Sequence, residues 1–313
     1  MRFFILTTLS AVLFWAPLAE AGVSKDLPYA KETTSAQEIA EQVYYVNHFY
    51  GMDNFLIIPT SKTKYVSMVV REKGKKGKVH TIKRLLNNAY GDGTVKSRDL
   101  IQFITGKMRG TSILITDYVD DAKQQSYSIW LPALRKIRRF SEPPHDDAWG
   151  GSDFTYGDIA LRKPEHEEHE LLGTETFGKC LGAMTLSKRL KKKTVLRNFS
   201  DPSCEHKDKT VYKLKSTTKQ KKWWYDHRIS YVDTTSYADY RTEYYKDGAL
   251  VKEIDRDWTS LGMADPRMQF WKYWYGKTSA TGHETQINIP EGGIQWNKDK
   301  DPEIWTEENL KAK

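Results

Sequence analysis

Residues 126–140, SYSIWLPALRKIRRF, and residues 149–158, WGGSDFTYGD, hold the pattern from which the rest of the chain can be read. Tyr127, Ile129, Trp130 and Leu131 are residue types that suit a pleated, half-buried surface, so Tyr127 to Leu134 is expected to be a strand. Pro132 removes a ladder donor and marks an edge, a bulge or a strand end. Arg135, Lys136, Arg138 and Arg139 follow within five positions. Cations so close together cannot all be buried, so the run faces solvent, an acidic partner or an anionic head group. Beyond the Glu142-Pro143-Pro144 break, Gly150 and Gly151 mark a turn. Thr155 and Asp158 then have the spacing of a helix capping box, with Asp replacing the usual Glu. The block reads as strand, basic exit, glycine turn and short helix.

On either side the pattern is mostly strands. Upstream, one segment reads as a helix: Ser35 and Glu38 form a capping box, Ile39, Val43, Val46 and Tyr50 share a stripe, and Gly51 ends it. Lys64 to Arg71 and Val79 to Leu86 flank a lysine-rich hairpin tip at Lys73–Lys78. Leu100 to Thr105 and Thr111 to Tyr118 follow, and Phe140 to Glu170 is a charged insert. Downstream, Glu175 to Ser187, Thr210 to Leu214, Lys222 to Val232, Ser236 to Tyr245, Leu250 to Trp258, Met268 to Tyr275 and Glu284 to Ile289 read as strands. Asp247-Gly248 is a tight-hairpin signal. Some ten or eleven antiparallel strands with one leading helix make the fold class α+β.

The N-terminus reads as an export signal. Arg2 precedes an apolar stretch from Phe3 to Leu18, and Ala19-Glu20-Ala21 is an A-x-A cleavage site. Residues 1–21 are therefore expected to be removed after Ala21, leaving 22–313 as one exported domain. The apolar stretch is short for a membrane span. The chain has 313 residues and a net charge of +8. That charge suits anionic surfaces, but no nucleic-acid motif accompanies it. Cys180 and Cys204, the two cysteines, are expected to form a disulfide across a polar, lysine-rich loop in an oxidising compartment.

Aromatic residues cluster in the second half. Alternation would put Trp223 and Tyr225 on one face and Trp224 on the other. It would likewise put Phe270 and Trp274 opposite Trp271, Tyr273 and Tyr275. Such strands are covered on both sides or line a cavity on one. Enzyme signatures are missing: the chain has neither a G-x-S-x-G elbow nor an H-E-x-x-H pair. His166 and His169, three apart in an acidic insert, could share a helical face and hold an exposed metal, but the insert reads more simply as a solvated loop. No metal, no cofactor and no catalytic residue are expected.

The central block resembles the outer membrane lipoprotein-sorting protein family, relatives of the periplasmic lipoprotein carrier LolA. Trp130 to Arg139 and Gly151 to Asp158 carry the resemblance. It departs in lacking a Tyr between Leu131 and Pro132 and in having Gly157 at an acidic position. Lys107 to Thr111, Leu171-Leu172-Gly173 and Trp305 to Leu310 are weaker matches. The resemblance implies a curved antiparallel sheet forming an unclosed half-barrel covered by helices. It implies a periplasmic carrier that binds a lipid or lipoprotein acyl chains and hands them between membranes, without catalysis, and that touches membrane surfaces transiently. A transporter of the resistance-nodulation-division class is an implied partner, and an adaptor without lipid cargo is the alternative. On this reading Ile113, Ile115, Trp130, Leu134, Trp223, Tyr225, Trp271 and Tyr273 line the cavity. Arg135, Lys136, Arg138 and Arg139 meet head groups or a partner. Gly151, Ser152, Asp153, Phe154, Tyr156 and Asp158 belong to a segment, Trp149 to Leu161, whose movement opens it.

Overall fold

The structure is a computed structural model that describes residues 23–32, 35–59, 61, 65–120, 122–141, 145–159, 162–290, 292–298 and 301–311. The expected export signal, the Glu142-Pro143-Pro144 break and Leu161 lie outside the described residues. The strands are β1 (Asn54–Ile57), β2 (Val66–Arg71), β3 (Lys78–Asn87), β4 (Val95–Phe103), β5 (Ser112–Tyr118), β6 (Ser126–Leu131), β7 (Lys136–Ser141), β8 (Glu167–Thr176), β9 (Thr210–Thr218), β10 (His227–Asp233), β11 (Asp239–Lys246), β12 (Ala249–Ser260), β13 (Gln269–Thr278), β14 (His283–Asn288) and β15 (Ile294–Trp296). All belong to one antiparallel sheet. Its main path runs β7-β6-β5-β4-β3-β2-β14-β13-β12-β11-β10-β9-β8, and β1 joins β3 to β15 beside it. The sheet is curved and unclosed, with β7 and β8 as its free edges. Among the described residues no helix is long and apolar enough to cross a membrane.

The hairpin at Asp247-Gly248 forms as its sequence requires, since both residues adopt positive φ, 49° and 76°, which the primed turn demands. Helix α1 (Ala36–Asn47) is capped by Ser35, whose hydroxyl accepts from the Glu38 amide at 3.1 Å. It ends at Asn47, short of the expected Gly51, because Phe49 already has φ of 55°. The helix packs on β8 and β9. Its Ala40, Val43, Tyr44 and Asn47 face Leu214, Ser230 and Tyr244 on the concave side.

Several strand assignments need correcting. The basic run is not an exit from a strand. Pro132 to Arg135 is a turn, with Arg135 at φ of 49°, and Lys136 to Ser141 is the returning edge strand. The insert ends earlier than its composition suggests, because Glu167 to Thr176 is the opposite edge strand. Residues 177–187 are irregular and not strand. Trp223, Trp224 and Tyr225 lie in the loop between β9 and β10, so strand alternation does not apply to them.

The convex face is covered twice. Near β3 to β6, the C-terminal segment lays Trp305 and Leu310 over Leu56, Leu85, Leu100 and Leu114, and the Trp305 indole donates to the Leu85 carbonyl at 2.9 Å. Over β11 to β14 lies the loop closed by the Cys180–Cys204 disulfide. Its Gly182 amide donates to Asp255 at 2.6 Å and its Met184 amide to Gln286 at 2.6 Å. The cysteines are 24 positions apart, which by loop-closure entropy corresponds to about 3 kcal/mol. Replacing both by Ser is expected to lower stability by about that amount, read as a shift in the urea midpoint. An unchanged midpoint would show that the loop is held by its hydrogen bonds alone.

Candidate functional site

Between the concave face of the sheet and a cover formed by residues 145–159 lies a row of small cavities. One, of about 50 Å³, is lined by Ile57, Val66, Ile82, Ile101, Trp149, Ile159, Trp271, Trp274, Ile287 and Ile289, with Arg84 as its one charged group among the described residues. The Arg84 guanidinium is neutralised by Asp99 at 2.7 Å and lies 5.3 Å from the Trp271 ring centre. A neighbouring cavity of about 40 Å³ shares Arg84 and Ile159 and adds Asn47, Phe49 and Ile115. The buried indole N–H groups of Trp149, Trp271 and Trp274 find no acceptor among the described residues. At the end of the sheet a larger groove of about 470 Å³ shares Trp271 and Ile289 with the apolar cavity. These two side chains therefore form the partition between groove and interior.

The cover is fixed at both ends of the expected motif. Gly150 and Gly151 hold positive φ, 59° and 72°, which turns Trp149 inward against Phe103, ring centres 5.6 Å apart. The Ser152 hydroxyl donates back to the Trp149 carbonyl at 2.6 Å. Asp153 accepts from Thr278 at 2.6 Å and Thr285 at 2.8 Å, and pairs with His283 at 2.7 Å. Phe154 is fully buried and fills the space above Gly276, where a Cβ would stand 3.0 Å from its ring. Tyr156 meets Tyr127 edge to face at 5.8 Å. The capping box forms: the Thr155 amide donates to Asp158 at 2.8 Å and the Asp158 amide to the Thr155 hydroxyl at 3.3 Å. It starts the short helix α2 (Tyr156–Ile159).

Asp158 also leads into a feature that the sequence reading missed. Its carboxylate accepts from Lys252 at 2.5 Å and from the Tyr244 hydroxyl at 2.6 Å, with Arg162 at 3.7 Å. Burial opposes its ionisation, but the Lys252 and Arg162 charges outweigh that and hold it well below the usual carboxylate range. Next to it, Glu167 accepts from Arg228 at 2.5 Å and from Tyr225 at 2.9 Å. On the same face Arg256 pairs with Asp239 at 2.5 Å and lies 4.2 Å over the Trp274 ring. The concave face is thus mostly apolar around the first cavity, with Arg84, Asp99 and Asp117 as buried charged groups on β3 to β5, and densely charged toward β8 to β12. A signal was present in β12. Lys252, Ile254, Arg256 and Trp258 fall in phase, so two cations share a face with two core residues.

Glu167 supplies a pH prediction. Burial raises its pKa, but Arg228 more than compensates and brings it down to about 2. A depressed carboxylate stabilises the fold above its unfolded pKa and loses that contribution as pH falls through the folded value. Roughly 3 kcal/mol should therefore disappear between about pH 4.5 and 2. Glu167→Gln should flatten that part of the stability–pH curve in denaturant titrations. An equally steep acid limb in the variant would assign the loss to other carboxylates.

The expected cavity residues separate. Trp271, Ile113 and Ile115 lie on the concave side. Trp130 does not: it packs on the convex face with Ile137 under the C-terminal segment. Leu134 sits exposed in the β6–β7 turn. A bulge in β13, where Asp257 faces Tyr273 but Trp258 faces Trp271, breaks the alternation. It brings Trp271 and Trp274 to one face and sends Tyr273 under the disulfide loop, where its hydroxyl meets the Ser203 amide at 3.2 Å. Trp223 and Tyr225 sit beside Arg162, 5.8 and 5.2 Å from ring centre to guanidinium, in the charged half. Of the basic run, Arg135, Lys136 and Arg138 are exposed, and Arg139 pairs with Glu307. His166 and His169 share no helical face, since one ends a short 3-10 turn and the other is in β8. Both His169 nitrogens are engaged, by Ser216 and the Pro164 carbonyl, each at 2.9 Å. Among the described residues no group of three or more His, Cys, Asp or Glu side chains is placed to hold a metal ion.

A family model described as "Uncharacterized protein" matches residues 96–312. No curated protein matches the chain. Among solved structures, a DUF1329 family protein from Desulfovibrio piger is similar with a TM-score of 0.64 at 16% identity, over 89% of this chain and 100% of that one. An outer membrane lipoprotein-sorting protein domain from Vibrio parahaemolyticus gives 0.63 at 16%, over 88% and 98%. A LolA superfamily protein from Nitrosomonas europaea gives 0.53 at 14%, over 88% and 100%. At these identities the likeness is one of fold.

Proposed function

This chain belongs to the family whose model spans residues 96–312, and from that membership and its LolA-like fold we propose that it is a periplasmic, non-catalytic carrier of acyl lipid. The observation that supports this most is the apolar cavity roofed by a separate cover segment. Acyl chains need no directional contact, because each buried methylene contributes about 0.8 kcal/mol. The cavity as it stands is small: about 50 Å³ is far below the roughly 300–1,000 Å³ of ordinary ligand sites. Loading therefore requires the cover to lift. Its ties at Asp153 and Asp158 are polar and reversible, and Gly150 and Gly151 supply a turn at one end. The exposed β6–β7 hairpin adds Arg135, Lys136 and Arg138 beside exposed Leu134 and Phe140. That combination suits transient contact with an anionic membrane. It is also what favours the second reading, an envelope adaptor that docks through this edge and carries no lipid.

The test is transfer of a fluorescent acyl lipid from donor to acceptor vesicles. Arg138→Glu should slow transfer at low salt and matter less at high salt, since exposed charges are screened within about 8–10 Å. Gly151→Val should slow it at every salt concentration, because its φ of 72° strains a β-branched residue. Absence of transfer by the wild-type protein would favour the adaptor.

A further inference from the structure

The charged half of the lumen is not balanced within itself. Arg162, Arg228 and Arg256 line one cavity of about 40 Å³ together with Asp158 and Asp239. Adding the directly bonded partners Lys252 and Glu167 makes four cations against three anions among the described residues that line this cavity or bond to its lining. His169 does not add a charge, because burial lowers its pKa. The guanidinium donors are also incompletely used. Arg162 Nε and Nη2 and Arg256 Nε are buried and have no hydrogen-bond acceptor among the described residues, while both side chains are more than nine-tenths buried. A buried guanidinium with idle donors is costly, and an anion that accepts from it is favoured. Arg162 is held in place, since it fills the space over Gly157, where a Cβ would come within 2.9 Å of Nη2.

The position of this cavity matters as much as its charge. It shares Asn47 with the cavity containing Ile115, which in turn shares Arg84 and Ile159 with the apolar cavity. Arg256 lies over Trp274, which lines that apolar cavity. The middle cavity is polar, with Ser97, Asp99 and Asp117 in its wall, so the short way from the cationic end to the greasy one is across the Arg256–Trp274 contact.

We propose that the lumen takes a single-chain amphiphile with a monoanionic carboxylate head, the head accepting from Arg162 and Arg256 and the chain running past Trp274 toward Trp271. This rests on the carrier reading and narrows its ligand class. No covalent step is involved, and one negative charge neutralises the excess.

The test compares decanoate with decan-1-ol, two probes of equal chain length, by tryptophan fluorescence and calorimetry on the wild-type protein. Decanoate should bind about ten- to hundredfold tighter, the size expected for hydrogen bonds to a charged group. Arg162→Met should remove that preference while leaving the binding of decan-1-ol intact, since Asp158 keeps Lys252 and Tyr244. Equal affinity of the two probes for the wild type overturns the head-group site but leaves an acyl carrier. No binding of either overturns the carrier reading itself. Displacement of decanoate by equimolar acetate marks a small-anion pocket and overturns the amphiphile. A preference that survives in folded Arg162→Met overturns the assignment to this guanidinium. The wild-type comparison needs no variant, so it decides even if Arg162→Met does not fold.

Discussion

Asp158→Ala is expected to destabilise the protein by about 3–5 kcal/mol, the cost of removing one partner from a buried ion pair. The carboxylate is fully enclosed and is the joint acceptor for Lys252, Tyr244 and the Thr155 amide. Its removal leaves the Lys252 ammonium buried without the carboxylate that accepts from it and takes from Arg162 its ion-pair partner. It also deletes the cap of α2 and one of the cover's two anchors. The measurement is urea denaturation of wild type, Asp158→Ala, Lys252→Met and the double variant. The double variant should be less destabilised than the sum of the singles, because the uncompensated charge is gone. Strict additivity would show that the pair does not act as a unit.

Trp271→Ala should cost a comparable 3–5 kcal/mol through the cavity it leaves. Its indole touches Phe49 at 4.7 Å and Trp274 at 4.8 Å between ring centres, both nearly perpendicular. The effect should extend beyond stability, because Trp271 stands between the large groove and the small apolar cavity and lines both. Truncation joins the two, so an acyl probe should enter folded Trp271→Ala faster than wild type in stopped-flow fluorescence. Unchanged entry kinetics in a folded variant would place the only way in under the cover.

The two halves of the molecule differ in how far the sequence reveals them. A strand buried on both faces was legible from its apolar run: Ile113, Leu114 and Ile115 follow one another in β5. The edge strands were not. Lys136 to Ser141 and Glu167 to Thr176 are largely solvent-facing, so they carry no apolar period and read as loop. The motif from Gly151 to Asp158 was legible as turn plus capped helix, because those signals are local. Its burial was not, since that depends on Thr278, Thr285, Tyr244 and Lys252, more than eighty positions away. Trp130 failed for a related reason. Alternation sets it opposite Ile129, but nothing in the strand says which face is concave. Trp271 and Tyr273 were expected on one face because a bulge has no signature in Phe270-Trp271-Lys272-Tyr273.

The pairing of β2 with β14 has a consequence for the way the chain acquires its shape. Arg71 meets Glu284 across 213 positions, and β1 needs β15 in the same manner. A nascent chain can build the β2-to-β7 meander and the β8-to-β13 meander from neighbouring strands, but neither is sealed until almost the last strand has been made. Until then β2 keeps an open edge with Met68, Val69 and Val70 beside it, the type of surface that templates aggregation. Sequence-distant pairings are slow to form, because loop-closure entropy is lost before the contacts compensate for it. Joining the halves should therefore be the late, rate-limiting event in refolding, and a chain cut before residue 283 should collapse into two unsealed sheets.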